Sequence, residues 1–272
     1  MAEPVIDISD ADVAAYDRDG VVCLRGAFDA GWIERLRGAV EHNLANPGPL
    51  SQTFTKPGQP GRFHGDKYMW TFDDDFRAFV FDSPGAAIAA RLMGSEKVNF
   101  FFDHLLVKEP GTAEATPWHQ DQPYWCVDGW QVISIWLALD PVPAEVSPQY
   151  IRGSHRWGKW YDPASFGGDR EYRSGGEKMP DIDAARDQYD IASFALEPGD
   201  VIVHQALVIH GAPANASNGR RRGLATRWLG DDVRYAVREA VPQIIRDPGL
   251  KAGDRMDCEL FPVVWRQPAE AA

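Results

Sequence analysis

His119 and Asp121 stand two residues apart in Trp118-His119-Gln120-Asp121, and His210 follows far downstream in Ile209-His210-Gly211. On an extended strand, residues i and i+2 point to one face, so an imidazole and a carboxylate at this spacing can grip one ion. A distant strand would supply the third donor. Two histidines and one carboxylate on one face of an octahedron leave the opposite positions open, which is the ligand set of non-haem Fe(II) centres that activate oxygen. Arg221 lies eleven residues after His210. Its guanidinium can hold a carboxylate through two parallel donors, where a lysine would only attract it.

The surroundings of these residues recur in a known order. Phe101-Phe102-Asp103-His104-Leu105-Leu106-Val107-Lys108-Glu109-Pro110-Gly111 precedes Pro117-Trp118-His119-Gln120-Asp121. Downstream come Pro198-Gly199-Asp200-Val201-Ile202-Val203, His210-Gly211-Ala212-Pro213-Ala214-Asn215 and Arg220-Arg221-Arg222. With the entry segment Gly20-Val21-Val22-Cys23-Leu24-Arg25-Gly26-Ala27-Phe28, nearly the whole chain resembles the phytanoyl-CoA dioxygenase family of Fe(II)- and 2-oxoglutarate-dependent oxygenases. The resemblance implies His119, Asp121 and His210 as Fe(II) ligands, and Arg221 as the partner of the distal carboxylate of 2-oxoglutarate. It places Lys108 and Trp136 beside the co-substrate, and makes 2-oxoglutarate and O2 co-substrates that leave as succinate and CO2.

Asp121 bears on the reaction. Related halogenases carry a small residue in place of the carboxylate, which frees a position for chloride, so hydroxylation of an unactivated C–H ranks first. Desaturation, epimerisation and ring closure start from the same hydrogen abstraction and stay open. So do a cupin-like metal enzyme that ignores 2-oxoglutarate and a noncatalytic metal- or metabolite-binding protein. The chain also departs from the family: Ala144-Glu145-Val146-Ser147 stands where a Glu-Asn-Gly turn is usual, and Arg152-Gly153-Ser154-His155 where Pro-Gly-Ser-His is. An acyl-CoA substrate is therefore not assumed, and a small organic metabolite is expected.

These residues need a scaffold. A chain of 272 residues with 44% hydrophobic content can bury one large core, and residues 1–272 are expected to form a single domain. A formal charge of −12 argues against a nucleic-acid partner, because phosphate binding needs clustered Lys and Arg and the one such run is Arg220–Arg222. Three cysteines without a C-x-x-C pair suggest neither a disulfide framework nor a thiolate metal site. Met1-Ala2-Glu3-Pro4 opens no leader pattern and no stretch is apolar enough for a membrane span, so a cytoplasmic, non-membrane protein is expected. An oligomeric state is not legible.

Ser9, with Asp12 three residues on, should cap a short helix through Tyr16 that Gly20 ends. A strand is expected over 21–24. Asp29 caps a helix carrying Trp32, Ile33, Leu36 and Val40, and further helices are expected over 74–81 and 85–93. Strands are expected over 98–108, 131–140, 149–152, 191–196, 201–204, 207–210 and 223–230. Many short strands with Gly and Pro turns and the helices to one side make the class α+β. The family's double-stranded β-helix, a jelly roll, agrees.

Residues 46–66 hold too many Pro and Gly for regular structure and, with 156–190, are candidate substrate lids. The first loop ends in charged and aromatic residues, so His64, Tyr68 and Trp70 join Gln120 as candidate substrate contacts. Tyr68, Trp70, Phe101, Tyr124, Trp125, Trp130 and Trp160 flank these loops and fit a flat or apolar pocket. Strand alternation turns Arg221, Gly223, Ala225 and Arg227 inward and Arg220 and Arg222 outward, and the small Gly223 and Ala225 leave room for co-substrate. Arg227 then needs an anion, either a substrate carboxylate or phosphate or a neighbouring Asp. His204 reads as packed with no carboxylate in register, His155 as structural, His42 as surface, and His104 as a strand residue with no second ligand nearby.

Overall fold

The structure, a computed structural model, describes residues 7–162, 175–238 and 244–268. Helix α1, Asp10–Asp19, begins at a capping box between Ser9 and Asp12. It continues past Tyr16, because nothing stops it until Gly20 takes the left-handed conformation (φ 72°). There a Cβ would meet His155 and Val208 at 2.4 Å. The other helices are α2 (Ala30–Ala45, capped by Asp29), α3 (Asp74–Asp82) and α4 (Gly85–Met93).

The strands are β1 (Val21–Leu24), β2 (Gln52–Thr53), β3 (Phe63–Lys67), β4 (Lys97–Lys108), β5 (Thr116–His119), β6 (Val127–Asp128) and β7 (Val132–Ala138). They continue with β8 (Gln149–Ile151), β9 (Ile191–Ser193), β10 (Val201–Gln205), β11 (His210–Ala212), β12 (Arg221–Leu229), β13 (Arg234–Tyr235) and β14 (Val263–Arg266). The large sheet runs β1-β10-β7-β12-β4-β3-β2, with β14 also on β4, and the small one runs β5-β11-β8-β9. This is a mixed α+β jelly roll, with the helices against the outer face of the large sheet.

Alternation along the strands separates two cores. Val201, Val203, Ile135 and Leu224 pack outward with the helices, whereas Ile202, Trp136 and Ala225 turn inward toward the small sheet. Trp228 and Phe100 are fully buried on the helical side, with ring centroids 4.8 Å apart. Burying each such side chain stabilises the fold by roughly 1.5–3 kcal/mol.

Three expectations for the backbone are corrected. Residues 46–66 are not wholly irregular: β2 pairs with β3, and the Phe54 N–H donates to the Phe63 carbonyl at 2.8 Å. The prolines at 57 and 60 fall between the two strands, where no ladder bond is lost. Over 207–210 the chain turns instead of extending, held by Val208 N–H to Gln205 carbonyl and by the Gln205 side chain on the Leu207 N–H, so the strand starts only at His210. The 191–196 strand stops at Ser193. Among the described residues, no helix is long and apolar enough to cross a membrane.

Candidate metal centre and cavity

His119 closes β5 and His210 opens β11, opposite one another in register, with ring centroids 4.1 Å apart. Each ring is turned by a local carbonyl. His119 Nδ1–H donates to Pro117 O at 2.8 Å and His210 Nδ1–H to Val208 O at 3.0 Å, tautomers assigned from these acceptors. Both Nε2 atoms are thereby aimed away from the backbone and toward Asp121.

Asp121 is not on the strand. It adopts a helical conformation (φ −75°, ψ −47°) and opens a 3-10 turn over Gln122–Tyr124, with the N–H groups of Asp121 and Gln122 on the Ala206 carbonyl. The same-face argument for positions i and i+2 therefore fails here, yet the side chains converge through the turn. Asp121 Oδ1 lies 3.5 Å from His119 Nε2 and 3.9 Å from His210 Nε2. One donor atom from each of the three residues falls within 4.8 Å of the others.

The second carboxylate oxygen has its own partners. Ser134 Oγ donates to Oδ2 at 3.1 Å, His204 Nε2 lies 3.4 Å away and Arg227 Nη2 3.9 Å away. His204 thus does face a carboxylate, because Ile202 and His204 alternate inward on β10 opposite Trp136 and Ser134. Burial raises the Asp121 pKa, but the contacts with His119 and His204 and the charges of His210 and Arg227 more than offset it, so the group sits well below the usual carboxylate range. Burial, with His119 and His204 alongside, lowers His210 well below its ordinary value and keeps it neutral. An ionised carboxylate and neutral imidazoles are the forms that bind a divalent ion, so the donor set fits Fe(II).

A cavity of about 780 Å³ opens between the two sheets over this cluster. Arg221 lines it, 5% exposed, and donates to the Val146 carbonyl; no carboxylate among the described residues pairs with it. Burial lowers its pKa to about 10, which leaves it cationic. Arg220 and Arg222 point outward to Glu109, Glu41 and Asp140, so the expected register holds. Gly223, however, makes room for Trp136 instead of co-substrate: a Cβ there would lie 2.2 Å from the indole, and it is the indole that lines the cavity. Lys108, opposite Arg221, is fully buried, donates to Pro213 O at 3.0 Å and does not line the cavity. Burial, followed by the charge of Arg221, lowers it to about 6.

The candidate substrate contacts divide. Arg227 lines the cavity with Phe102 and Trp125 against its guanidinium, at 5.0 and 5.7 Å from the ring centroids. His64, Tyr68, Trp70 and Gln120 do not line it. His64 faces helix α2, its Nε2 3.2 Å from Asn43 Oδ1; Tyr68 stacks on Phe102; Trp70 packs against Phe81 and Phe100. Gln120 braces backbone instead, donating to the Lys159 and Leu207 carbonyls and accepting from the Tyr161 N–H. Of the flanking aromatics Tyr124 and Trp125 reach the cavity, Phe101 belongs to the outer core, and Trp130 is 45% exposed.

Gln52–Pro57 line the cavity mouth, whereas no described residue of 156–190 does; residues 163–174 of that segment lie outside the described residues. His155 braces α1 through the Asp17 carbonyl at 3.1 Å, and His42 is exposed, as read. His104, read as a strand residue with no second ligand nearby, lines the cavity, and so does Lys67, for which the sequence offers no signal. Alternation carried the signal for His104, since an inward Lys108 puts Leu106, His104 and Phe102 on the same face. Burial and Arg227 lower Lys67 to about 8.

The sequence model of the family described as Phytanoyl-CoA dioxygenase (PhyH) matches residues 16–223. Dioxygenase cdmD of Talaromyces verruculosus is 24% identical over 250 residues, which cover 82% of this chain and 73% of that protein. The crystal structure of the non-heme alpha ketoglutarate dependent carbocyclase SnoK from nogalamycin biosynthesis superposes with a TM-score of 0.78 at 22% identity, covering 97% of this chain and 100% of that one. The epimerase SnoN of the same biosynthesis gives 0.76 at 22% identity, covering 97% and 98%.

Proposed function

The chain belongs to the phytanoyl-CoA dioxygenase family of Fe(II)- and 2-oxoglutarate-dependent oxygenases, and on that premise we propose that it hydroxylates an unactivated C–H of a small organic metabolite, releasing succinate and CO2. The observation that carries the reading is the pairing of a convergent His119–Asp121–His210 cluster with a buried Arg221, which meets no carboxylate among the described residues, across one cavity. His119 and His210 would offer Nε2 and Asp121 would offer Oδ1. Arg221 would receive the distal carboxylate of 2-oxoglutarate through two parallel bonds, fixing its distance and angle. When bound, Fe(II) and 2-oxoglutarate supply the oxygen-activating chemistry. Tyr124, Trp125 and Trp136 line the walls with apolar surface that excludes water. The Gln52–Pro57 segment would close over bound substrate.

Ring closure or epimerisation is the second reading, favoured by what SnoK and SnoN are named for. One experiment separates the outcomes. Anaerobic protein with Fe(II) and 2-oxoglutarate should show a weak visible charge-transfer band, absent in His119→Ala, Asp121→Ala and His210→Ala. After oxygen is admitted, a substrate should yield succinate and, in equal amount, a product one oxygen atom heavier. A product two hydrogens lighter would indicate desaturation or ring closure, and one of unchanged mass epimerisation. Added chloride should give no halogenated product, because Asp121 holds the position it would need.

A further inference from the structure

The inner face of the large sheet carries positive charge at both ends. Cross-strand register sets the rows: Phe63, Lys108 and Arg221 form one, then Gly65, Leu106, Gly223 and Ala138, then Lys67, His104, Ala225 and Trp136, and last Phe102, Arg227, Ser134 and His204. The first row holds the proposed co-substrate anchor. The last two put Lys67, His104 and Arg227 beside the Asp121 carboxylate, four and six residues along β12 from Arg221, or roughly 13 and 20 Å of strand.

This second group is only partly satisfied by the protein. Among the described residues no carboxylate pairs with the Lys67 ammonium, and the buried His104 Nε2 and Arg227 Nε have no hydrogen-bond partner. Arg227 Nη1 reaches only the Ala225 carbonyl, and its Nη2 lies 3.9 Å from Asp121. Asp66, next to Lys67, turns its carboxylate to Asn43 and the Gly48 N–H, and Asp103 accepts from the Trp70 N–H on the other face of β4. Leaving a buried charged donor unmatched costs more than a typical hydrogen bond returns, so groups of this kind mark a ligand.

Charge balance gives the ligand's sign, and here the argument rests on the oxygenase reading above. Fe(II) and dianionic 2-oxoglutarate cancel, and Asp121 cancels one arginine, which leaves two positive charges in the loaded cavity. One co-substrate carboxylate would be taken by Arg221 and the other by the metal, so neither would remain for Lys67. The neighbouring walls are Phe102, Tyr124 and Trp125. We infer that Lys67, His104 and Arg227 form a subsite for the carboxylate of the substrate, an organic acid whose flat apolar body rests on these aromatic rings with a C–H held toward the metal cluster.

The test uses 1-naphthoate and the uncharged 1-naphthamide, titrated calorimetrically into the full chain with and without Fe(II) and 2-oxoglutarate, with the charge-transfer band recorded on the same samples. The acid should bind at least about tenfold tighter than the amide, Lys67→Gln should reduce that preference to about twofold, and Lys67→Arg should keep most of it. The band should persist while the acid binds. Equal affinities, binding of neither probe, an undiminished preference in Lys67→Gln, or loss of the band through competition at Arg221 would each overturn the subsite. A missing band in the unsubstituted protein, with the acid preference intact, would instead remove the oxygenase reading and leave the subsite standing.

Discussion

At the scale of single residues, the two oxygens of Asp121 divide the work: Oδ1 faces the two Nε2 atoms, and Oδ2 is held by Ser134 with His204 and Arg227 near it. A carboxylate held this way presents one oxygen as a ligand without having to reorient. Arg221 is as buried but, among the described residues, has only the Val146 carbonyl as acceptor, so its remaining donors face the cavity. Arg221→Lys should weaken 2-oxoglutarate binding roughly ten- to a hundredfold, about 1.5–3 kcal/mol, because a point charge replaces a planar fork. Titration of the charge-transfer band measures it. Arg222→Lys is the control, since Arg222 spends its guanidinium on Asp140; a larger loss there than in Arg221→Lys would shift the assignment by one residue. The convergent trio and this arginine were legible through the ordered blocks in which the chain resembles its family, since an H-x-D spacing by itself is common. Lys67 was not, because nothing in Asp66-Lys67-Tyr68 distinguishes a lysine aimed into a cavity from one in solvent.

At the scale of elements, period-two alternation was legible wherever a strand was long and unbroken. It resolved Arg221, the first residue of β12, from Arg220 and Arg222, and applied to β4 and β10 it would have turned His104 and His204 inward. It failed where a turn does the positioning. Asp121 reaches the cluster from a 3-10 turn whose geometry depends on the Ala206 carbonyl, a contact across the fold that local sequence does not carry. Cross-strand neighbours are equally hidden, and Gly223 shows the consequence. A glycine in a strand is ordinarily a weakness, and replacing it with alanine should gain about 0.5–1 kcal/mol. Here a Cβ would overlap the Trp136 indole at 2.2–2.7 Å, so Gly223→Ala should instead cost about 1–3 kcal/mol as the ring is displaced. Urea unfolding decides between the signs. A stabilised variant would mean that the indole has room to move and that the wall it forms is soft.

At the scale of the whole molecule, several groups buried around one cavity couple stability to pH. Lys108 is held at about 6 against 10.5 in an unfolded chain, first by burial and then by Arg221. Between those values the unfolded chain carries a proton that the folded one has released, so stability rises with pH, by at most about 1.4 kcal/mol per unit from this group. Asp103 works the other way. Burial raises it from 3.8 to about 7, so across that window the folded form holds the extra proton and stability falls as pH rises. The two oppose each other just below neutrality, and above about pH 7 Asp103 no longer opposes the lysine, while Lys67, lowered to about 8, adds to it. Thermal unfolding from about pH 7 to about pH 9 should therefore show the protein growing more stable, and Lys108→Met, which keeps the apolar stem and removes the proton, should be distinctly flatter over the same range. Parallel profiles would mean that Lys108 keeps its charge in the folded state beside Arg221. A second buried cation would then lie behind Arg221, outside the cavity.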